Sequence, residues 1–104
     1  MGRYKVDFQS IAWEHGRPGV RFKVYCEGSR QIRLVEFATS AGDPHWCELG
    51  HIGDVLEGAL QIEINGEVFS FAAGDGLFIP PGDASAHRVV RITPGTRLLM
   101  VEDR

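Results

Sequence analysis

The sequence predicts a single all-β domain, and three observations support that prediction. The chain has 104 residues, which is enough for one domain with a small core. Its 13 glycines and five prolines divide it into short segments. These segments alternate between apolar and polar residues or form brief apolar runs, and none keeps the apolar stripe of a helix. We therefore expect about eight or nine short strands in a sandwich or barrel.

Composition excludes several classes of protein. The chain is 43% hydrophobic and carries charges of both signs, which indicates a globular protein rather than a disordered one. Its net charge is -3 with scattered basic residues, so we expect no nucleic-acid partner. No apolar run reaches the length of a membrane span, and the N-terminus lacks the apolar core of a signal peptide, so we expect no membrane association and a cytoplasmic location. Cys26 and Cys47 are expected to be free thiols in that compartment.

The strands are expected in a simple order along the chain. Residues 11–19 and 39–44 are expected to be loops, the first because Pro18-Gly19 favours a turn. Pro80-Pro81 ends another segment, since proline cannot donate to a strand ladder. The expected strands outside the central stretch are residues 3–8, 20–26, 31–38, 60–64, 67–71, 77–79, 87–92 and 97–102.

One hairpin has an especially clear signature. Asn65-Gly66 stands between two alternating segments, and this pair favours a two-residue type I′ turn because both positions need positive φ. The turn fixes the register of the two strands. The expected opposite pairs are Ile64 with Glu67, Ile62 with Phe69, and Leu60 with Phe71.

The stretch from Gly42 to Gly58 holds most of the residues that could carry chemistry. It contains His45, Cys47 and His51, which are all odd-numbered and so share one face of an extended strand. Gly50 and Gly53 permit a bulge, which makes the position of His51 less certain than that of the other two. A third histidine, His87, lies 36 residues after His51, where a returning strand can bring it to the same place.

Two segments of the chain resemble the two motifs of the cupin superfamily. They are G-D-V-L-E-G-A-L-Q-I at residues 53–62 and G-D-G-L-F-I-P-P-G at residues 74–82. The resemblance implies one cupin domain over residues 1–104, with motifs at about 42–58 and 74–90. It implies a double-stranded β-helix, or jelly roll, with a metal or ligand pocket inside. The motif positions that match are Gly42, Gly58, Gly74, Pro80, Gly82 and His87.

The resemblance also implies a set of metal ligands, with two departures. The first histidine of the family's H-x-H pair falls on His45, but the second falls on Cys47. The family's glutamate falls on His51, and the second-motif histidine falls on His87, two residues further from Gly82 than is common. The implied ligands are therefore His45, Cys47, His51 and His87. Asp54 stands where the family often has tyrosine.

This ligand set keeps the charge of the family's shell but changes its chemistry. Three neutral imidazoles and one thiolate carry the same single negative charge as three imidazoles and one carboxylate. Sulfur in place of oxygen favours Zn, Fe or Ni over Mn or Mg. Four tetrahedral ligands would make a closed structural or sensor site, whereas six-coordinate binding would leave two open positions. A metal-free pocket, in which these side chains are polar lining, is the alternative.

The remaining expectations concern function and partners. The resemblance implies a metal-dependent oxygenase or isomerase acting on a small polar metabolite, or a non-catalytic cupin that binds or senses a small ligand. It also implies a homodimer. His15, in a Gly/Pro-rich loop, is expected to be solvated. Arg91 shares parity with His87, so it can point toward the mouth of the barrel and hold a carboxylate, but an arginine in such a place more often reaches solvent.

Overall fold

The computed structural model describes residues 4–103 and shows two antiparallel sheets. Short 3₁₀ turns lie at Phe8–Ser10 and Asp83–Ser85. No helix among residues 4–103 is long and apolar enough to cross a membrane. The strands are β1 (Glu14–His15), β2 (Val20–Glu27), β3 (Arg30–Phe37), β4 (His51–Glu57), β5 (Ala59–Ile64), β6 (Glu67–Ala72), β7 (Gly76–Ile79), β8 (His87–Ile92) and β9 (Thr96–Asp103).

The strand order gives the molecule its two layers. One sheet has six strands in the order β1-β2-β3-β9-β4-β7, and the other has three in the order β6-β5-β8. Every pairing between strands is antiparallel. The chain repeatedly crosses from one sheet to the other, as a jelly roll does. The predicted all-β fold is confirmed.

The core lies between the two sheets. Each strand sends alternate side chains inward, so the buried residues follow the period-two pattern that the sequence shows. Both sheets contribute to one hydrophobic cluster. Its buried members are Val35, Phe37, Val55, Leu60, Ile62, Leu77, Ile79, Ile92, Leu98 and Met100.

The predicted hairpin is confirmed in both its turn and its register. Asn65 has a φ of 51° and Gly66 a φ of 81°, which are the positive values that a type I′ turn needs. β5 and β6 then pair as expected from that turn. The observed partners include Ile64 with Glu67, Ile62 with Phe69, and Leu60 with Phe71.

The prediction of a first strand at residues 3–8 is wrong for the part that the structure describes, and residue 3 lies outside it. Residues 4–8 form no strand. The side chain of Asp7 accepts hydrogen bonds from the Gln9 amide at 3.2 Å and the Ser10 hydroxyl at 2.8 Å. These local bonds favour a tight turn over an extended strand. The first strand instead lies within the predicted loop, where Glu14–His15 pairs with β2.

Candidate metal centre

Three side chains with metal-binding atoms meet inside the barrel. One donor atom from each of Cys47, His51 and His87 lies within 4.8 Å of the others. Cys47 Sγ is 3.8 Å from His51 Nε2. The two imidazole rings are 4.9 Å apart between centroids and meet edge to face at 76°. This group is hereafter called the Cys-His-His cluster.

Two sheets and one loop bring the cluster together. His51 begins β4 in the six-stranded sheet, and His87 begins β8 in the three-stranded sheet. Cys47 belongs to the loop before β4, but its backbone is fixed to His87. The amide of Cys47 donates to the carbonyl of His87 at 2.7 Å, and the amide of His87 donates to the carbonyl of Cys47 at 2.9 Å. This bridge holds the thiol opposite the imidazole of His87.

The surroundings of His87 decide which ring nitrogen carries its proton. Nδ1 is 3.0 Å from the backbone oxygen of Ser85, which can only accept, so the proton belongs on Nδ1. Nε2 is then an unprotonated lone pair. It is buried and has no hydrogen-bond partner among residues 4–103. Leaving such an atom unpaired is costly, which points to a partner that is not part of the chain.

Burial affects the charge of His87 as well as its orientation. The side chain is 4% exposed, and this desolvation lowers its pKa below 6.5. The Ser85 carbonyl acts in the opposite direction, and the neighbouring His51 adds to the lowering. A neutral imidazole is the form that binds metals.

His51 is held from its far side by Glu102 of β9. His51 Nδ1 lies 2.5 Å from Glu102 Oε2, which is close enough for a charge-assisted contact. The N–H of this nitrogen is not aligned as in a regular hydrogen bond. A carboxylate at Nδ1 favours the tautomer with its proton there. Nε2, which is 3.8 Å from Cys47 Sγ, is then unprotonated. His51 therefore turns a bare Nε2 toward the thiol, and the bare Nε2 of His87 is buried in the same cluster.

Glu102 is itself fixed in its ionised form. Arg33 donates to it from Nε at 2.6 Å and from its terminal nitrogen at 2.8 Å, and Gln31 donates at 3.0 Å. Burial alone would raise the pKa of this carboxyl, but the contacts with His51, Arg33 and Gln31 outweigh it. The pKa of Glu102 is therefore held well below its usual range. A charged carboxylate that is locked by an arginine is a rigid support for His51.

The structure does not bring His45 to the cluster. Its side chain is 89% exposed, and its Nδ1 lies 3.0 Å from Asp43 Oδ1. The Asp43 carboxylate also accepts from the His45 amide at 2.9 Å, which fixes the local turn. That amide is the main reason that the pKa of Asp43 is lowered. His45 borders the cavity at its mouth, and its role as a ligand stays a prediction.

The donor set fits a divalent transition metal. A thiol and two imidazole nitrogens are the ligand types that Zn, Fe and Ni accept. Each imidazole is backed by an acceptor on its other nitrogen, which is the arrangement that ligating histidines show in metalloproteins. The orphaned Nε2 of His87 would gain a partner on metal binding. These three residues are therefore suited to hold such an ion.

Sequence reasoning missed the support for the cluster. Glu102 and Arg33 lie on predicted strands, and each shares the inward face of its strand. Glu102 is on the same face as Leu98 and Met100, and Arg33 is on the same face as Val35. Two opposite charges on the inward faces of predicted strands indicate a buried ion pair. That signal was available in the sequence. The contact with His51 was not, because it depends on the pairing of β9 with β4.

Of the two alternatives for Arg91, the structure shows the one in which it reaches solvent. Strands β5 and β8 change register between Gln61 and Ile62, so an extra residue interrupts the alternation of β8. His87 is buried as predicted, but Arg91 is exposed and does not line the barrel cavity. His15 is exposed on β1, as expected for a solvated side chain.

A cavity of about 330 Å³ opens next to the cluster. Its lining includes all three cluster residues as well as His45 and Asp43. A larger hollow of about 630 Å³ lies beside it around the β1–β2 turn, but none of the cluster residues lines it. We take the smaller cavity as the functional one because the unsatisfied donor atoms face it.

Comparison with known proteins establishes the class of fold. No protein-family model matches this sequence, and no curated protein matches it. Among solved structures, KdgF from Halomonas sp. superposes with a TM-score of 0.78 at 24% identity, over 99% of this chain and 94% of that one. An RmlC-like cupin from Shewanella frigidimarina gives 0.78 at 17% identity, over 98% and 91%. A cupin-superfamily sugar phosphate isomerase from Silicibacter pomeroyi gives 0.73 at 23% identity, over 96% and 75%. The chain has the fold of a small cupin, as the two motifs indicated.

Proposed function

We propose that this chain is a metal-binding cupin that holds a divalent Zn, Fe or Ni ion through Cys47, His51 and His87. The observation that carries the proposal is the orphaned Nε2 of His87, which is buried beside a thiol and a second bare imidazole nitrogen. In a metal-free pocket of polar lining that atom would have no partner among the described residues. A bound ion satisfies all three donors at once.

The outer contacts of the histidines support the same proposal. His87 Nδ1 is matched with a backbone carbonyl, and His51 Nδ1 with the Glu102 carboxylate. Such partners orient ligating imidazoles and raise their basicity. Glu102 also places a carboxylate next to the cluster without being a donor in it. The three cluster residues carry the proposal, and the predicted fourth ligand, His45, would have to exchange its contact with Asp43 for the ion in order to join them.

Three protein donors leave room for a small molecule at the ion. A bound divalent ion supplies a Lewis acid that polarises an oxygen of such a molecule. We propose a metal-dependent oxygenase or isomerase. One solved neighbour is described as a sugar phosphate isomerase, which supports the second of these. The alternative is a non-catalytic cupin that binds or senses a small ligand, and the loss of the family's glutamate ligand at His51 favours it.

Elemental analysis tests the metal site directly. Protein purified without chelator or nickel resin is expected to contain close to one divalent ion per chain. The double variant His51→Ala/His87→Ala is expected to contain almost none, because it removes two of three donors. His15→Ala is the matched control, since it removes an exposed imidazole outside the cluster. A metal-free parent that takes up neither Zn²⁺ nor Fe²⁺ when offered them would refute the site.

The metal-loaded parent then separates an enzyme from a binding protein. Oxygen uptake and isomerisation are followed with a panel of small carbonyl and hydroxy compounds. Turnover that the double variant lacks supports the enzyme. Binding of a compound without turnover supports the sensor.

We also propose a cytoplasmic homodimer. The register aligns a row of apolar side chains across the outer face of the six-stranded sheet, from Ile32 to Val101, Ile52 and Phe78. Phe78 is 77% exposed and Ile52 47%. A second copy that packs on this face would remove them from water. Light scattering at micromolar concentration should give a dimer that Phe78→Ser weakens. A monomeric mass for the parent would contradict the proposal.

A further inference from the structure

Eleven of the residues that line the barrel cavity are apolar, and the polar ones are the cluster, His45, Asp43 and three arginines. Both sheets supply the apolar residues, whose side chains are aliphatic, aromatic or thioether. A ligand that fills the space therefore exchanges water for hydrocarbon over most of its surface. The apolar residues that line the cavity are Val20, Phe22, Val35, Phe37, Leu60, Ile62, Leu77, Ile79, Val89, Leu98 and Met100.

The fixed positive charges around the cavity are already paired within the chain. Arg33 binds Glu102 through two hydrogen bonds. Arg88 donates to Glu63 at 3.0 Å and also lies 4.5 Å from the centroid of the Trp46 ring. These two cations are matched by carboxylates, so a ligand anion would have to compete for them.

The third lining cation is also engaged. Arg17 lies 3.7 Å from the Asp43 carboxylate and donates to the carbonyl of Ala41 at 3.0 Å. Each arginine that lines the cavity thus has an acidic partner. A phosphorylated or multiply carboxylated ligand would meet no unpaired arginine among the described lining residues.

We propose that the cavity takes a small, predominantly apolar molecule with one polar head that coordinates the ion at the Cys-His-His cluster. The inference rests on the proposed metal site and adds the class of ligand. The volume of about 330 Å³ lies at the small end of ligand pockets, which limits the tail to a short aliphatic chain or a single ring. The head is selected by the ion and the tail by the hydrocarbon walls. This class of ligand is less polar than the small polar metabolite that the resemblance implies.

A homologous series tests this inference on the zinc-loaded protein. Straight-chain hydroxamates from acetohydroxamate to hexanohydroxamate share one metal-binding head and differ only in tail length. Calorimetric affinity is expected to rise about fourfold per added methylene, since each one leaves water for the apolar wall. The monohydroxamate of adipic acid has the same chain as hexanohydroxamate with a carboxylate in place of the terminal methyl. It is expected to bind at least about tenfold more weakly, because its charge would be buried without a partner.

A cavity-filling variant locates the tail. Leu77 is 3% exposed, lines the cavity and pairs with Gly53, two residues from His51 along β4 and so about 7 Å from the end of the barrel that holds the cluster. Leu77→Phe is expected to keep its zinc and to lose most of the gain in affinity for the longer tails. Val68→Phe on the exposed strand β6 is the matched control and should leave the whole series unchanged.

The outcomes separate this inference from the metal proposal. Failure to load zinc refutes the metal site. Loaded protein that binds every hydroxamate equally, or binds the adipate derivative more tightly than hexanohydroxamate, overturns the apolar-ligand inference while leaving the metal site standing. If Leu77→Phe does not fold, the series on the parent protein still decides the question.

Discussion

Glu102 connects the candidate metal centre to the rest of the protein without being one of its donors. It contacts His51 at 2.5 Å and is held by Arg33 and Gln31. The carboxylate thereby fixes both the orientation of the ring and the position of its proton. Glu102 is accordingly a positioning residue. A loss of this support should weaken metal binding without removing a ligand.

Glu102→Gln tests this role. We expect zinc affinity to fall about 10- to 100-fold, because a neutral amide no longer orients and polarises His51 as a carboxylate does. Competition with a chromophoric zinc chelator measures the change. Glu63→Gln is the control, since Glu63 also pairs with an arginine but belongs to a different ion pair. Equal zinc affinities in Glu102→Gln and Glu63→Gln would contradict a positioning role for Glu102.

His45→Ala addresses the fourth predicted ligand. Its side chain is 89% exposed and engaged by Asp43, so we expect metal stoichiometry to stay the same and affinity to change less than threefold. The measurement is the same chelator competition. His87→Ala is the positive comparison and should lose most of the affinity. A comparable loss of zinc affinity in His45→Ala would show that the loop carrying His45 closes over the ion.

Single residues differ in how far the sequence reveals their roles. The proximity of Cys47, His51 and His87 could be expected, because motif positions and strand parity agree on it, and the structure brings the three together. His45 follows the same parity, but its loop is irregular and Asp43 captures the ring, so parity does not apply there. Glu102 lies far from both motifs, and only the pairing of strands places it beside His51.

At the scale of strands, β4 depends on a glycine where it meets β9. A Cβ built on Gly53 would lie 2.1 Å from the carbonyl oxygen of Leu99 and 3.1 Å from Met100 Cα. Both are backbone atoms, so they cannot rotate out of the way. β4 carries His51 two residues earlier, and any shift of the strand moves that ligand.

Gly53→Ala should therefore destabilise the fold by about 1–3 kcal/mol or more, as overpacking does. It should also lower zinc affinity. Urea unfolding followed by tryptophan fluorescence gives the free energy of unfolding. Gly76→Ala on the neighbouring strand is the control. Its added Cβ would lie 3.5 Å from the Gly53 oxygen, which is an ordinary van der Waals contact. Equal free energies of unfolding for Gly53→Ala and Gly76→Ala would contradict the close packing of β4 against β9.

Strand-level features were predictable where local chemistry decides them. The Asn65-Gly66 turn fixed a register that the structure reproduces, because the turn type leaves one choice. The extra residue in β8 was not predictable, since no glycine or proline marks it and only its partner strand reveals it. Its effect is large, because it turns Arg91 away from the cavity.

For the whole molecule, the buried ionisable groups predict how stability depends on pH. The pKa of His87 is below 6.5 and that of Glu102 below 4.5 in the folded protein. In both cases the unfolded chain binds more protons than the folded one just below the ordinary pKa. Stability therefore rises with pH in both windows.

We expect the free energy of unfolding of metal-free protein to fall as pH drops through 6.5, and to fall again below 4.5. The first decline arises from His87 and the second from Glu102. Urea titrations in the presence of chelator, at intervals between neutral and acid pH, measure both. His87→Ala should flatten the upper window and Glu102→Gln the lower one. A stability that stays constant over both windows would contradict the assigned protonation states.

The free edges of the six-stranded sheet limit how the molecule can polymerise. One edge is β1, with two residues, and the other is β7, with four. Pro80 and Pro81 directly follow β7 and have no amide hydrogen to offer an incoming strand. Short, proline-ended edges resist strand addition and fibril growth. In the proposed homodimer, two copies meet through the outer face of this sheet, and neither edge is left suited to adding further copies as a filament.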